Sequence, residues 1–109
     1  MTTRLVYEMG ILSQVCRTEN SNLNLIDRTF PNWSTVPDGV GVRLNNAFYQ
    51  FSEYIAELEP SDLDANESEL CLSLTESLND AIHSIINKDN DNAKRKLEYI
   101  DSTIWDYCN

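Results

Sequence analysis

Asp80 and His83 are the first candidates for chemistry, because they lie three residues apart and a helix would place both on one face. A carboxylate and histidine pair of this kind forms half of a dinuclear metal site in helical bundles. The chain contains one histidine, so the other half of such a site is missing. An exposed histidine beside an aspartate explains the pair better, and we expect no metal there.

A second cluster has the spacing of a calcium-binding loop. A twelve-residue loop that starts at Asn87 places Asp89 and Asp91 at its third and fifth positions and Glu98 at its twelfth, where oxygen ligands belong. The glycine expected at the sixth position is absent, and residues 94–96 are all basic. A polar turn in which Asp91 caps the following helix is the preferred interpretation. Calcium binding stays the alternative, and a calorimetric titration would decide between them.

The cysteines offer little nucleophilic chemistry. Cys71 lies twelve residues before His83, without a sequence signature of a thiol nucleophile. The sequence also lacks a glycine-rich phosphate loop, so we expect neither an enzyme nor a cofactor. Three widely separated cysteines cannot all pair within one chain, which favours reduced thiols in a cytosolic protein. Cys16 and Cys108 fall on apolar stripes and are predicted to be small core residues.

The acidic residues are unevenly distributed. The net charge is −10, yet residues 1–50 hold four acids and four bases, so the excess lies entirely in residues 51–109. Residues 44–87 contain no Lys or Arg, while nine carboxylates occur from Glu53 to Asp80, with no base near them in sequence. Such a surface repels phosphate, which disfavours direct binding to nucleic acid or to an anionic membrane. A basic protein is the partner that it fits.

These nine carboxylates and one aromatic side chain form the predicted partner-binding surface. Tyr54 is included as the anchor, because aromatic residues carry a disproportionate share of binding energy. Trp33 and Trp105 are weaker candidates that we expect to be partly buried in the core. The predicted partner-binding residues are Glu53, Tyr54, Glu57, Glu59, Asp62, Asp64, Glu67, Glu69, Glu76 and Asp80.

Apolar residues that recur at steps of three and four predict the helices that position this surface. A first helix covers the stripe from Leu5 to Cys16, a central helix spans about residues 40–59, and a third spans about 65–87. A capping box from Asp64 to Glu67 fits the start of the third helix, although one from Ser61 to Asp64 competes with it. A last helix runs from Asp91 nearly to the C-terminus.

The segment between the first two helices, residues 18–39, is rich in Asn, Ser, Thr and Pro and predicts an irregular crossover, with at most one short helical turn from Leu25 to Phe30. We expect it to cover the first helix, on which Val6, Tyr7 and Ile11 add apolar side chains outside the main stripe. Left uncovered, that helix would offer a homodimer interface. The predicted fold is all-α: one domain over residues 1–109, a small bundle of about four helices with a long irregular crossover between the first and second main helices.

Two functional hypotheses follow. The leading one is a small acidic cytoplasmic protein that binds and neutralises a basic partner, a nuclease toxin or another nucleic-acid-binding enzyme, by steric and electrostatic occlusion. Immunity proteins, antitoxins and anti-nuclease inhibitors follow this general plan. The alternative is a non-catalytic structural or assembly subunit, homodimeric through the first helix, whose acidity serves only solubility. Residues 1–12 resemble neither a signal peptide nor a membrane span.

Overall fold

Four helices pack as an up-and-down bundle in a computed structural model that describes residues 3–29 and 38–108. Each helix contacts two others, in the ring order first, second, third, fourth and back to the first. The described residues contain no strand, so the predicted all-α bundle is confirmed. The helices are α1 (Thr3–Thr29), α2 (Asp38–Ala56), α3 (Ala65–Ile86) and α4 (Asn90–Cys108).

The predicted apolar stripes supply the core. The α1 stripe from Leu5 to Cys16 is fully buried, and the stripes of α3 and α4 are buried over most of their length. Removing these side chains from water is the main favourable contribution to folding. The largest fully buried apolar side chains are Leu5, Met9, Leu12, Leu23, Leu44, Leu74, Leu78, Leu97 and Ile100.

The extent of the first helix differs from the prediction. Residues 18–29 are helical and continue α1, so the irregular crossover predicted for residues 18–39 is wrong over that part. Leu23 and Ile26 continue the buried face of the helix, and the Asn and Ser residues lie on its other faces. Residues 18–29 therefore do not fold back over α1, and Tyr7 is exposed. Residues 38 and 39 begin α2, so the prediction is wrong there too, and residues 30–37, with Trp33, lie outside the described residues.

A buried carboxylate joins α1 to α2. Glu19 is fully buried in α1, and its carboxylate accepts hydrogen bonds from the Arg43 guanidinium of α2, through Nε and through Nη2, the latter at 3.2 Å. These hydrogen bonds, and then the negative charge of Glu19, raise the pKa of Arg43. A carboxylate without this partner would be very costly to bury. The ion pair therefore allows α1 to stay helical past its apolar stripe.

Asp101 joins α4 to α1. Its carboxylate accepts hydrogen bonds from the Ser13 hydroxyl and from Arg17 Nε, the latter at 2.9 Å to Oδ2. The Arg17 guanidinium also lies over the ring of Trp105, 5.9 Å from its centroid. Trp105 is 58% exposed, so it is a surface residue and not the partly buried core residue that the sequence predicts. Polar contacts and apolar packing together hold α4 against α1.

The turn between α3 and α4 is tighter than predicted. The Lys88 amide donates to the Ile85 carbonyl at 3.1 Å, and the Asp89 amide donates to the Ser84 carbonyl at 2.7 Å. This is the Schellman pattern, with Lys88 in the left-handed region at a φ of 62°. The Asp89 carboxylate accepts from the Asn92 amide at 3.2 Å, so Asp89 caps α4 and the cap predicted at Asp91 is wrong.

The calcium-loop geometry is not formed in this turn. Residues 90–98 are helical, so only residues 87–89 separate α3 from α4 and a twelve-residue loop has no room. In the described part of the chain, no group of three His, Cys, Asp or Glu side chains is arranged to hold a metal ion. Over the same residues, no helix is long and apolar enough to cross a membrane.

Candidate partner-binding surface

Most of the predicted carboxylates lie on α2, on α3 and on the loop between them. Glu53 and Glu57 are exposed near the C-terminal end of α2, and Glu69 and Glu76 are exposed on α3. All four lie off the buried stripes of these helices, and the two helices pack side by side. Glu59, Asp62 and Asp64 are exposed in the loop. We call these seven residues the acidic hairpin surface.

Two loop carboxylates also shape the loop. Asp62 Oδ2 accepts a hydrogen bond from the Glu59 amide at 2.8 Å. Asp64 Oδ1 accepts from the Glu67 amide at 2.8 Å, and Glu67 Oε1 accepts from the Asp64 amide at 3.2 Å. The predicted capping box from Asp64 to Glu67 is confirmed. The charges of Asp62 and Asp64 stay exposed while their oxygens order the start of α3.

Glu67 is not part of the surface, and its predicted role there is wrong. Its side chain is 8% exposed, and its Oε2 accepts a hydrogen bond of 2.6 Å from the Tyr107 hydroxyl of α4. That hydrogen bond, followed by the one from the Asp64 amide, holds the pKa of Glu67 below its ordinary value. Burial and the neighbouring carboxylate raise the pKa of Tyr107. Glu67 therefore fastens α3 to the end of α4.

Tyr54 is a core residue, so its predicted role as an exposed anchor is also wrong. It is 6% exposed, its ring centroid lies 6.4 Å from that of Phe51, and the Arg4 guanidinium lies 5.3 Å from its centroid. Tyr54 follows Phe51 by three residues and therefore continues the buried stripe of α2. The exposed aromatic residue on α2 is Tyr49, with 60% of its side chain accessible.

Sequence reasoning missed two exposed apolar residues of α2, Val42 and Tyr49. Both are exposed, and they lie seven residues apart, which places them two turns apart on one face of α2. Neither fits the stripe that holds Leu44 and Phe51. That mismatch was the available signal: large apolar residues on the predicted solvent side of a helix indicate a contact surface.

Asp80 has a basic partner that its sequence neighbourhood does not reveal. Lys96 of α4 lies 3.7 Å from its carboxylate, measured from Nζ to Oδ2. The expectation of carboxylates without nearby bases is therefore wrong for Asp80, because α4 packs beside α3. His83 is exposed on the same helix. Among the described residues, no ion pair with Lys or Arg forms at any member of the acidic hairpin surface.

Three arginines of α1 and α2 pair with carboxylates outside the acidic hairpin surface. Arg4 pairs with Glu8 at 3.0 Å within α1, Arg17 pairs with Asp101 of α4, and Arg43 pairs with the buried Glu19. Residues 51–87 contain nine carboxylates and no Lys or Arg. The negative potential of the molecule is therefore concentrated on the α2 and α3 side of the bundle.

An apolar groove of about 310 Å³ lies beside these charges, between the C-terminal half of α2 and the N-terminal half of α3. We call it the α2–α3 groove. Leu72 is 60% exposed at the groove, with Glu69 one turn before it and Glu76 one turn after it on α3. Sequence reasoning also missed Leu72, which falls between the stripe residues Leu70 and Leu74. The lining side chains include Ile55, Ala56, Leu63, Cys71, Leu72 and Thr75.

The three cysteines are free thiols in different environments. Cys16 and Cys71 are buried, whereas Cys108 is exposed, so the prediction of a core position is wrong for Cys108. Burial, followed by the carboxylates of Asp101 and Glu19, raises the pKa of Cys16 to about 12. Burial also raises the pKa of Cys71. Neither buried thiol is an activated nucleophile, because only the thiolate reacts.

The surface therefore combines exposed carboxylates that form no ion pair among the described residues, exposed apolar side chains and a groove. In comparisons with protein-family models, curated proteins and solved structures, none matches this chain.

Proposed function

We propose that this chain binds and neutralises a basic partner protein, a nuclease or another nucleic-acid-binding enzyme, in the manner of an immunity, antitoxin or anti-nuclease inhibitor. The observation that carries the proposal is the acidic hairpin surface. Glu53 on α2, Glu57 directly after α2, and Glu69 and Glu76 on α3 are exposed, and no ion pair compensates them in the described part of the chain. Three free thiols also fit the reducing cytoplasm that the proposal assumes.

The mechanism is occlusion without catalysis. An enzyme that binds nucleic acid presents a basic cleft to phosphates, and a row of carboxylates on a rigid helix pair can occupy that cleft instead. Charge complementarity of this kind raises association rates above the ~10⁵ to 10⁶ M⁻¹s⁻¹ of neutral protein pairs. The exposed Tyr49 and Leu72 supply apolar contact area of the sort that slows dissociation.

The test starts with affinity capture of a partner from cells that contain this protein, followed by affinity measurements on the purified pair. We expect a protein of high isoelectric point whose nuclease activity falls when the complex forms. Reversing Glu69 and Glu76 to lysine should weaken binding at least tenfold, and reversing Glu53 and Glu57 as well should weaken it further. Raising the salt concentration should weaken the native complex through slower association.

The matched control reverses two exposed acids on α4, Glu98→Lys and Asp106→Lys, which changes the net charge by the same amount away from the acidic hairpin surface. We expect this variant to bind within about threefold of the native protein, because distant exposed charges are largely screened. Equal losses in the two double variants would mean that net charge, and not this surface, governs binding. Unchanged affinity in both would contradict the proposal.

A second candidate function, a homodimeric structural subunit, is favoured by an apolar face of α1 that the described residues leave exposed. Tyr7 is exposed beside Gly10, and a Cβ added at Gly10 would meet no atom within 4 Å. Together with Ile11, Gln14 and Val15 they line a shallow concavity. Light scattering distinguishes the two functions: a dimer that persists in high salt and dissociates on Tyr7→Ala favours the structural subunit, and a monomer favours the inhibitor.

A further inference from the structure

We infer that the α2–α3 groove receives the apolar face of a basic amphipathic helix of the partner protein. The inference rests on the proposed function and extends it from a charged surface to a defined mode of contact. Helix-in-groove recognition uses apolar anchors at helical spacing, with charged residues on either side of them. The groove offers an apolar lining for such anchors and exposed carboxylates beside it for basic residues.

The apolar part of the contact is Leu72 and the concave surface beside it. The groove volume of about 310 Å³ lies at the lower limit of small-molecule pockets, which hold about 300–1,000 Å³. It is open to solvent along the two helices that form it, so inserted side chains suit it better than an enclosed ligand. The 60% exposure of Leu72 leaves a large aliphatic side chain at the rim for a partner to cover.

The spacing of the carboxylates indicates that the occupant is a helix. Glu69 and Glu76 are seven residues apart on α3, which corresponds to two turns and about 10.5 Å along the axis. Lys or Arg residues at positions i and i+7 of a partner helix along α3 have the same separation. An apolar residue midway between them would lie over Leu72, as Leu72 itself lies between Glu69 and Glu76.

An extended segment fits the groove less well. A strand brings backbone amides and carbonyls that need hydrogen-bond partners. The groove provides few partners. The Thr75 hydroxyl already donates to the Cys71 carbonyl at 2.8 Å, the Ser52 hydroxyl oxygen is buried, and the remaining lining hydroxyl is that of Ser68. A helix satisfies its own backbone and presents only side chains. The apolar lining and the carboxylate rim together select a basic amphipathic helix.

The test uses fluorescein-labelled synthetic peptides and the full chain. One 18-residue peptide places leucines at helical spacing on one face and lysines on the other, and a second has the same composition in scrambled order. A third replaces the lysines with glutamates. Fluorescence anisotropy should show that the amphipathic lysine peptide binds at least tenfold more tightly than the other two. Its affinity should fall as NaCl is raised.

Groove variants locate the binding. Ala56→Phe fills the groove at an exposed position, and Leu72→Ala removes the exposed aliphatic side chain, so neither disturbs the core. We expect at least tenfold weaker peptide binding for Ala56→Phe and at least fivefold for Leu72→Ala. The control is Ile86→Ala, which removes an exposed aliphatic side chain from the same helix outside the groove and should change affinity by less than twofold. Circular dichroism verifies that each variant is folded.

Equal affinity for the scrambled peptide, no binding of the amphipathic peptide, or unchanged affinity in both groove variants would overturn the inference. The outcome is separable from that of the proposed function. A captured basic partner that is lost on reversing Glu69 and Glu76 but retained by Ala56→Phe would leave the proposed function standing and reject the helix in the groove. A partner insensitive to all these changes would reject both.

Discussion

Lys88 connects α3 to α4 with a φ of 62°, in the left-handed region that costs a residue with a Cβ about 1–2 kcal/mol relative to ordinary backbone. The Schellman hydrogen bonds at this position require that conformation, which glycine adopts without strain. Lys88→Gly should therefore raise the free energy of unfolding by about 1 kcal/mol in urea titrations. Lys88→Ala is the control, because it removes the same charge without relieving the backbone. Equal stability of the two variants would show that the gain comes from charge.

Cysteine reactivity should separate the three thiols. Cys108 is exposed, whereas Cys16 and Cys71 are buried with raised pKa values. With its pKa at about 12, the Cys16 thiol is about 10⁻⁴ thiolate at pH 8. Ellman's reagent should modify one thiol per chain rapidly and the other two only when denaturant is added. Cys108→Ser should abolish the rapid phase, and two rapid thiols in the native protein would contradict the burial of the cysteines.

At the scale of elements, the Glu67 and Tyr107 contact between α3 and α4 predicts an acid-dependent stability. The Tyr107 hydroxyl and the Asp64 amide lower the pKa of Glu67 from its ordinary 4.5. The native state then binds fewer protons than the unfolded chain in this range, so the contact contributes fully above pH 4.5. That contribution is lost as pH falls through the lower native pKa. Tyr107→Phe should lower the melting temperature at pH 7 and reduce its decline below pH 4.5.

Tyr99→Phe is the matched control for that pH profile. The Tyr99 hydroxyl lies 3.1 Å from the Ser73 hydroxyl on an exposed part of the α3 and α4 contact, and the bond involves no carboxylate. Its removal should leave the slope below pH 4.5 unchanged in melting curves followed by circular dichroism. Parallel profiles for the native protein and Tyr107→Phe would show that the contact does not stabilise the fold through the Glu67 charge.

The elements differ in how well the sequence predicts them, for a physical reason. The limits of α3 follow from local information: an apolar stripe, an N-terminal capping box and a polar stop all lie within the segment. The C-terminal half of α1 is harder to predict, because Glu19 interrupts the apolar stripe between Cys16 and Leu23 and is buried through its ion pair with Arg43, twenty-four residues later. A charged residue at a core-facing position hides from a local pattern that Leu23 and Ile26 continue the same face.

The same distinction applies to the candidate surface. The exposure of Glu53, Glu57, Glu69 and Glu76 follows from their distance from the apolar stripes, and this part of the prediction agrees with the structure. The helical step also identifies Tyr54 as a core residue, so that error was avoidable. The same step places Glu67 before the buried Cys71 and Leu74 of α3. The partners of Glu67 and Asp80 were not predictable, because they lie on α4, forty and sixteen residues later in the chain. The local apolar pattern predicts which carboxylates are exposed, whereas tertiary packing determines which of them pair with a partner on another helix.

At the scale of the whole molecule, the bundle separates its charges. Arg4, Arg17 and Arg43 are paired with carboxylates, whereas the seven acids of the acidic hairpin surface are exposed and form no ion pair among the described residues. Like charges held together by the fold repel and reduce its stability. A basic partner would relieve that repulsion and so stabilise the folded chain as it binds. The repulsion that lowers the stability of the free protein would thus contribute to the affinity of the proposed complex.

Salt should therefore stabilise the free protein. The screening length falls from about 10 Å at 0.1 M salt to about 3 Å at 1 M, which weakens repulsion between exposed carboxylates. The exposed pair Arg17–Asp101 loses attraction at the same time, but such a pair contributes only about 0–1 kcal/mol. The Arg4–Glu8 pair is screened less, because the Glu8 carboxylate is buried. With a net charge of −10, the relief of repulsion should prevail.

The melting temperature should rise by several degrees between 20 mM and 500 mM NaCl, a salt chosen because sulfate would also strengthen apolar burial. Neutralising Glu69 and Glu76 to glutamine should raise the melting temperature at low salt and reduce its salt dependence. Neutralising Glu98 and Asp106 to the corresponding amides should have a smaller effect on the melting temperature and on its salt dependence. These acids lie on α4, which also carries Lys94, Arg95 and Lys96. A melting temperature that falls with NaCl would mean that attractive pairs dominate, and that the acidic hairpin surface carries no repulsion for a partner to relieve.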